Sequence, residues 1–96
     1  MSRPPLHCLF DKALWSRERD GVDLPAQGAQ GAVTISVTRA GLAALVAKDR
    51  SEVSADAALS LLQAHSEVVG RAAQTSYDQE PRTVIIIDYA DIERAL

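Results

Sequence analysis

Residues 54–89 constrain this chain more than any other stretch. Residues 54–78 carry apolar side chains at helical spacing, Pro81 ends that pattern, and four consecutive aliphatic residues, Val84 to Ile87, follow at once. On a wheel of 100° per residue, Ala58, Leu61, Leu62, His65, Val68, Val69, Ala72 and Ser76 share one sector. Gln63, Glu67, Arg71 and Gln74 fall opposite. The spacing predicts one long amphipathic helix over 54–78 that buries this sector. The strand over 83–89 alternates Ile85, Ile87 and Tyr89 against Val84 and Ile86, so it is apolar on both faces. Such a strand is expected at the centre of a sheet with both faces covered. Helices can cover one face. The other calls for the N-terminal segment or a second subunit.

The remaining elements are consistent with this core. Residues 32–37 alternate Val33, Ile35 and Val37 with Thr34 and Ser36, the pattern of a half-buried strand with one wetter face. Val22 and Leu24 flank Asp23 as in a short edge strand ending at Pro25. The glycines of the 27–31 segment supply a turn, and the two strands make a β-hairpin near 21–37. Thr38 is placed to cap a helix over about 39–48 with Leu42, Leu45 and Val46 as its stripe, and Ser54 to cap the long helix with Asp56 in its first turn. Residues 49–53 read as a polar connection. Glu67 and Arg71 are spaced for an i,i+4 pair. Asp91 is expected to cap a last turn over 92–96. Leu6 to Phe10 suit a short strand, residues 11–20 are open between a helical turn and a loop, and residues 1–5, with Pro4 and Pro5, are expected to fray. The expectation is one α+β domain over 1–96: a small antiparallel sheet, from the hairpin near 21–37 and the C-terminal strand 83–89, with two helices packed on it.

Composition narrows the partners. The chain has 96 residues and a formal net charge of −3, which disfavours a surface that attracts phosphate backbones. Arg3, Lys12, Arg17 and Arg19 cluster in sequence, but Asp11, Glu18, Asp20 and Asp23 are interleaved with them. The one cysteine, Cys8, permits no intrachain disulfide, as suits a reducing compartment. No apolar run is long enough to span a bilayer, and the N-terminus lacks the apolar stretch of a signal peptide. A cytoplasmic location is therefore expected, with no membrane contact.

Few residues are candidates for chemistry. His65 lies in the packing sector of the long helix and is the candidate titrating residue. The plainer expectation is a neutral core histidine holding one ring hydrogen bond. His7 and Cys8 are neighbours in an extended segment and point to opposite sides. No zinc-ligand spacing is present, and Asp88 and Asp91 are explained as a strand end and a helix cap. No catalytic residue, cofactor or metal is expected. Aromatic residues are scarce: Phe10, Trp15, Tyr77 and Tyr89. Trp15 either closes the open side of the sheet or anchors a partner. Trp15, Tyr89, Val84 and Ile86 are the candidate interaction residues, on the expectation that Trp15 lies near the uncovered side of the last strand.

The order of these elements resembles a known family. Val22 to Ala26, Val33 to Thr38 and Ala40 to Leu42 look like its hairpin and first helix. Leu61 to His65, Arg71 to Ala73 and Tyr77 look like its long helix, and Val84 to Asp91 looks like its closing strand. The family is the small bacterial domain-of-unknown-function family 1488, and the resemblance covers about residues 9–92. It departs at His65, where the family is often aromatic, and near Ser36, where it often has cysteine. The resemblance implies a bacterial cytoplasmic α+β domain and supplies no catalytic residue. The function expected is a non-enzymatic binding, regulatory or self-associating module. Its partner would be another protein or a second copy, as in a homodimer. The alternatives are a nucleic-acid-associated accessory protein and, last, a small enzyme using His65.

Overall fold

The computed structural model describes residues 5–29, 31–46 and 52–96. A five-stranded mixed sheet carries helices on one face, an α+β fold. The strands are β1 (His7–Cys8), β2 (Leu14–Ser16), β3 (Gly21–Gly28), β4 (Gly31–Thr38) and β5 (Val84–Ile87). The helices are α1 (Arg39–Leu45), α2 (Ala55–Ala64), α3 (Ser66–Gln79) and α4 (Tyr89–Ala95), and Phe10–Lys12 form a 3-10 turn. The sheet runs β1, β3, β4, β5, with β2 beside β1 on the outer edge of β3. The expected fraying at 1–4, the end of the first helix at 47–48 and the connection at 49–51 lie outside the described residues.

The hairpin forms as its pattern requires. Gly28 pairs with Gly31 across the turn, and Gly31 takes φ 125°, a conformation that favours glycine. β3 is not the short edge strand expected. It runs eight residues through the sheet interior, paired on both sides. Pro25 is tolerated there because its missing amide faces away from β4. The Thr34 amide opposite it donates instead to the Thr83 carbonyl, 2.8 Å away, while the Pro25 carbonyl accepts from the Leu9 amide at 2.8 Å.

β5 corrects a larger expectation. It lies at the sheet edge and pairs with β4 in parallel, Ile35 beside Ile85 and Val37 beside Ile87. The chain between β4 and β5 crosses the covered face as α1, α2 and α3, and such a crossover returns a strand parallel to its neighbour. Ile85 and Ile87 are buried, while Val84 and Ile86 face solvent. Among the described residues the sheet therefore has one covered face, not two.

The long helix is two helices. His65 stands between α2 and α3 with φ −115° and ψ 34°, closing the first and opening the second. A straight helix over 54–78 would span roughly 37 Å, against about 27 Å for an eight-residue strand. The break lets α2 lie over β2 and β3 while α3 covers β5. His65 is half-buried at this joint, so it is not the centre of a continuous packing face. With α1 and α4, the helical layer has four members among the described residues rather than two.

The core lies between that layer and the covered face. Val22, Leu24, Ala26, Val33, Ile35, Val37, Ile85 and Ile87 line the sheet side, and Leu42, Leu62, Val69, Ala73 and Ile92 line the helical side, all buried. Leu61 and Val68, expected in the core, pack only partly against it. Val53, assigned above to a polar connection, is 1% exposed and plugs the core ahead of α2. The caps at Thr38 and Ser54 fall where expected, whereas the last helix starts at Tyr89 with Asp88, not Asp91, as its N-cap. The Thr38 hydroxyl accepts from the Gly41 amide at 3.0 Å, and the Ser54 hydroxyl from the Ala57 amide at 3.1 Å. Arg71 does not join Glu67; its Nε donates to the Ala95 carbonyl, 3.1 Å away, and ties α3 to the end of α4.

Candidate functional site

The face of the sheet away from the helices is the surface to which the sequence candidates lead. Cross-strand partners share a face. The pairings Leu14 with Asp23, Asp23 with Ser36, and Ser36 with Ile86 therefore draw one row across β2, β3, β4 and β5 on this open side. Pro25, Thr34 and Val84 form the adjacent row. The outer positions are apolar and wet: Leu14 is 69% exposed, Ile86 52% and Val84 37%. The middle is polar. Asp23 lies 3.6 Å from the Arg19 guanidinium, and Ser36 is 1% exposed between its neighbours. Asp23 Oδ1 and Ser36 Oγ, on directly paired residues, are both buried and make no hydrogen bond among the described residues.

Val84 and Ile86 have a second distinction. The bond from the Thr34 amide to the Thr83 carbonyl sets the parallel ladder so that Thr83, Ile85 and Ile87 direct their backbone groups toward β4. Val84 and Ile86 direct theirs outward, along an edge no described strand covers. Beside that edge is a depression of about 150 Å³ lined by Ser76 and Glu80 of the helical side, Arg82, Val84, Ile85 and Ile86.

Tyr89 is 48% exposed and opens α4 directly beyond β5. Asp88 fixes that junction. Its carboxylate accepts from the Tyr89 amide at 2.8 Å and from the Thr38 hydroxyl at 2.8 Å, while Asp91 Oδ2 accepts from the Asp88 amide at 3.0 Å. This is a capping box, so both aspartates serve the helix start.

Trp15 does not join this group. Its partner is Val22, which lies on the covered face, and β2 lies across β3 and β4 from β5. The expected proximity of Trp15 to Val84 and Ile86 is thus corrected: they occupy opposite faces and opposite sides of the sheet. Trp15 instead carries the Arg39 guanidinium 5.2 Å from its ring centroid. Arg39 also bonds Asp20, side chain to side chain at 2.9 Å and amide to carbonyl at 2.9 Å. Trp15 therefore helps to clamp the start of α1 onto the turn before β3.

The other candidates stand apart. His7 and Cys8 pair with Gln27 and Ala26 and point to opposite faces. Burial pushes the Cys8 thiol up from its ordinary value, which lowers its thiolate fraction near neutral pH. Alkylation of Cys8 by iodoacetamide at pH 8 is expected to be slower in the folded chain than in urea; equal rates would contradict it. A depression of about 500 Å³ between α3 and α4 is lined by Arg71, Asp91, Arg94 and Leu96 among others. Its charges are engaged locally, Arg94 with Asp91 at 2.7 Å and Arg71 with the Ala95 carbonyl, so no set of donors converges on a ligand. Among the described residues no group of three or more His, Cys, Asp and Glu side chains could hold a metal ion, and no helix is long and apolar enough to cross a membrane.

Sequence reasoning reached Val84 and Ile86 but missed Leu14 and the pairing of Asp23 with Ser36. The alternation of β4 did put Thr34 and Ser36 on the wetter face. Leu14 had no signal, because its strand is too short to show a period.

A small mixed sheet, helices on one face and an apolar-edged open face define a small α+β domain. Its architecture is similar to that of a protein of unknown function from the duf1488 family of Shewanella loihica PV-4, solved by crystallography. The two share a TM-score of 0.70 and 17% sequence identity over 92% of this chain and 96% of that one. The resemblance to that family read from the sequence thus has a counterpart in the fold. No family model matches the chain, and no curated relative is found for it.

Proposed function

We propose that this chain is a non-enzymatic protein-binding module whose contact surface is the open face of the sheet at β5. One observation carries the reading: Val84 and Ile86 are exposed aliphatic side chains on an edge strand, and their backbone groups also point outward. Exposed apolar side chains and an unpaired strand edge are what β-strand addition uses, the backbone supplying affinity and the side chains selectivity. Leu14 extends the apolar character to the far side of the face. The polar groups nearby support binding rather than bond-making, since Asp88 and Asp91 are held in the α4 cap.

The test is a quantitative capture experiment with the immobilised chain, offering both cell extract and an untagged copy of the chain. Ile86→Lys, alone and with Leu14→Lys, is expected to abolish retention of the bound protein. Both residues are exposed, so thermal stability should stay close to that of the wild type. An identical retained set from wild type and double variant would refute the reading.

A further inference from the structure

The ends of β5 carry opposite charges. Arg82 precedes the strand and Asp88 follows it, and each stands three positions from Ile85. Val84 and Ile86 are the strand residues whose backbone groups turn away from β4, and Arg82 and Asp88 follow the same alternation in sequence on either side of them. An incoming antiparallel strand must match residues of this parity with residues of its own outward parity. For a second β5, this allows pairings centred on Val84, Ile85 or Ile86. Centring on Val84 sets Arg82 against Ile86 and Asp88 against Glu80, a like charge. Centring on Ile86 sets Asp88 against Val84 and leaves Arg82 unopposed. Centring on Ile85 sets Arg82 against Asp88 of the second copy at both ends of the seam, and Val84 against Ile86 of the second copy at both central positions.

We propose that two copies of this chain join edge to edge through β5, antiparallel and centred on Ile85, forming one continuous sheet across a two-fold axis. This rests on the reading of the β5 side as a binding surface and names its occupant. The charge pattern of the edge is complementary to itself in this register alone. The apolar side chains of Val84 and Ile86 then cover one another on the open face, and each such pair exchanges both backbone bonds. Among the described residues Arg82 is held by Glu80 alone, with both side chains more than 60% exposed (63% and 67%), so its release to a new partner costs little. Asp88 already uses its amide and carbonyl within the α4 cap. It therefore contributes its charge to the seam and no ladder bond.

Sedimentation equilibrium tests this. The wild-type chain is expected to show the mass of two copies at high micromolar concentration. Arg82→Asp sets like charges at both ends, and Asp88→Arg does the same with the opposite sign. Each alone should weaken association roughly tenfold or more. An equimolar mixture of the two should associate as the wild type does, because every end then pairs unlike charges. Val84→Pro removes an outward amide while leaving the ladder to β4 intact, and it should give a single-copy mass with an unchanged far-ultraviolet circular dichroism spectrum. If Asp88→Arg fails to fold for loss of the α4 cap, Arg82→Asp and Val84→Pro decide alone. A wild type of single-copy mass at millimolar concentration, a dimer indifferent to Val84→Pro, or a mixture no tighter than its folded components overturns the proposal. A monomeric wild type whose captured partner is still lost with Ile86→Lys overturns the second copy alone. A monomer with no such loss overturns the binding reading too.

Discussion

Leu62→Ala is expected to lower the free energy of unfolding by about 2–5 kcal/mol. Leu62 sits on α2 with no exposed surface. It faces the core shared with Leu24, Ile35 and Leu42, which are themselves fully buried. Truncation removes the transfer free energy of the lost groups and leaves a cavity that sheet and helix cannot both relax to fill. A domain of this size has a total stability of about 5–15 kcal/mol, so the loss is a large fraction of the whole. Urea titration reads it as a lower midpoint with an unchanged slope. Leu61→Ala is the control. The helical wheel weighted both residues equally, but Leu61 is only half-buried, so its cost should be clearly smaller. Equal losses at both positions would contradict the placement of α2, and no loss at Leu62 would contradict the core itself.

That pair of leucines also marks how far the sequence could be read. Periodicity identifies which residues lie on the same side of an element. This was enough for the alternation of β4, the caps at Thr38 and Ser54, and the α+β class. It does not carry the direction of a pairing, which depends on where the chain goes between strands. The aliphatic run of β5 therefore reads as a central strand although it is an edge. Nor does periodicity limit an element's length when no glycine or proline interrupts it, and none stands at the joint between α2 and α3. The break at His65 follows from the size of the sheet beneath, a property of the folded object. Trp15 was misplaced for a related reason. A three-residue strand has no readable period, so its face is known only once its partner is known to be Val22. At the candidate site, Val84 and Ile86 were legible as apolar residues facing away from Ile85 and Ile87. Whether anything covered them was not, since that depends on β5 being outermost.

Two glycines now differ in a way that composition cannot show. A Cβ at Gly21 would stand 2.2 Å from the Val37 carbonyl oxygen and 3.0 Å from both the Val37 carbonyl carbon and the Thr38 Cα. All three are backbone atoms of the adjacent strand. They cannot move aside without opening the ladder between β3 and β4, where Gly21 pairs with Thr38. Thr38 in turn caps α1 and bonds Asp88 at the start of α4, and the Asp20 carbonyl next to Gly21 accepts from the Arg39 amide. The strain of a single methyl group would therefore reach two helix starts. Gly21→Ala is expected to cost about 3 kcal/mol or more, at or beyond the upper range for overpacking. At Gly70, inside α3, a Cβ would meet nothing within 4 Å. Gly70→Ala is expected to stabilise the chain by about 0.5–1 kcal/mol, because alanine restricts the unfolded chain and favours helix. The same substitution thus carries opposite signs at two positions, and urea titration of both variants against the wild type measures them. A Gly21→Ala variant within about 0.5 kcal/mol of the wild type, the range of an ordinary surface change, would mean that β3 and β4 do not approach as described. The junction they form with α1 and α4 would then have to be redrawn.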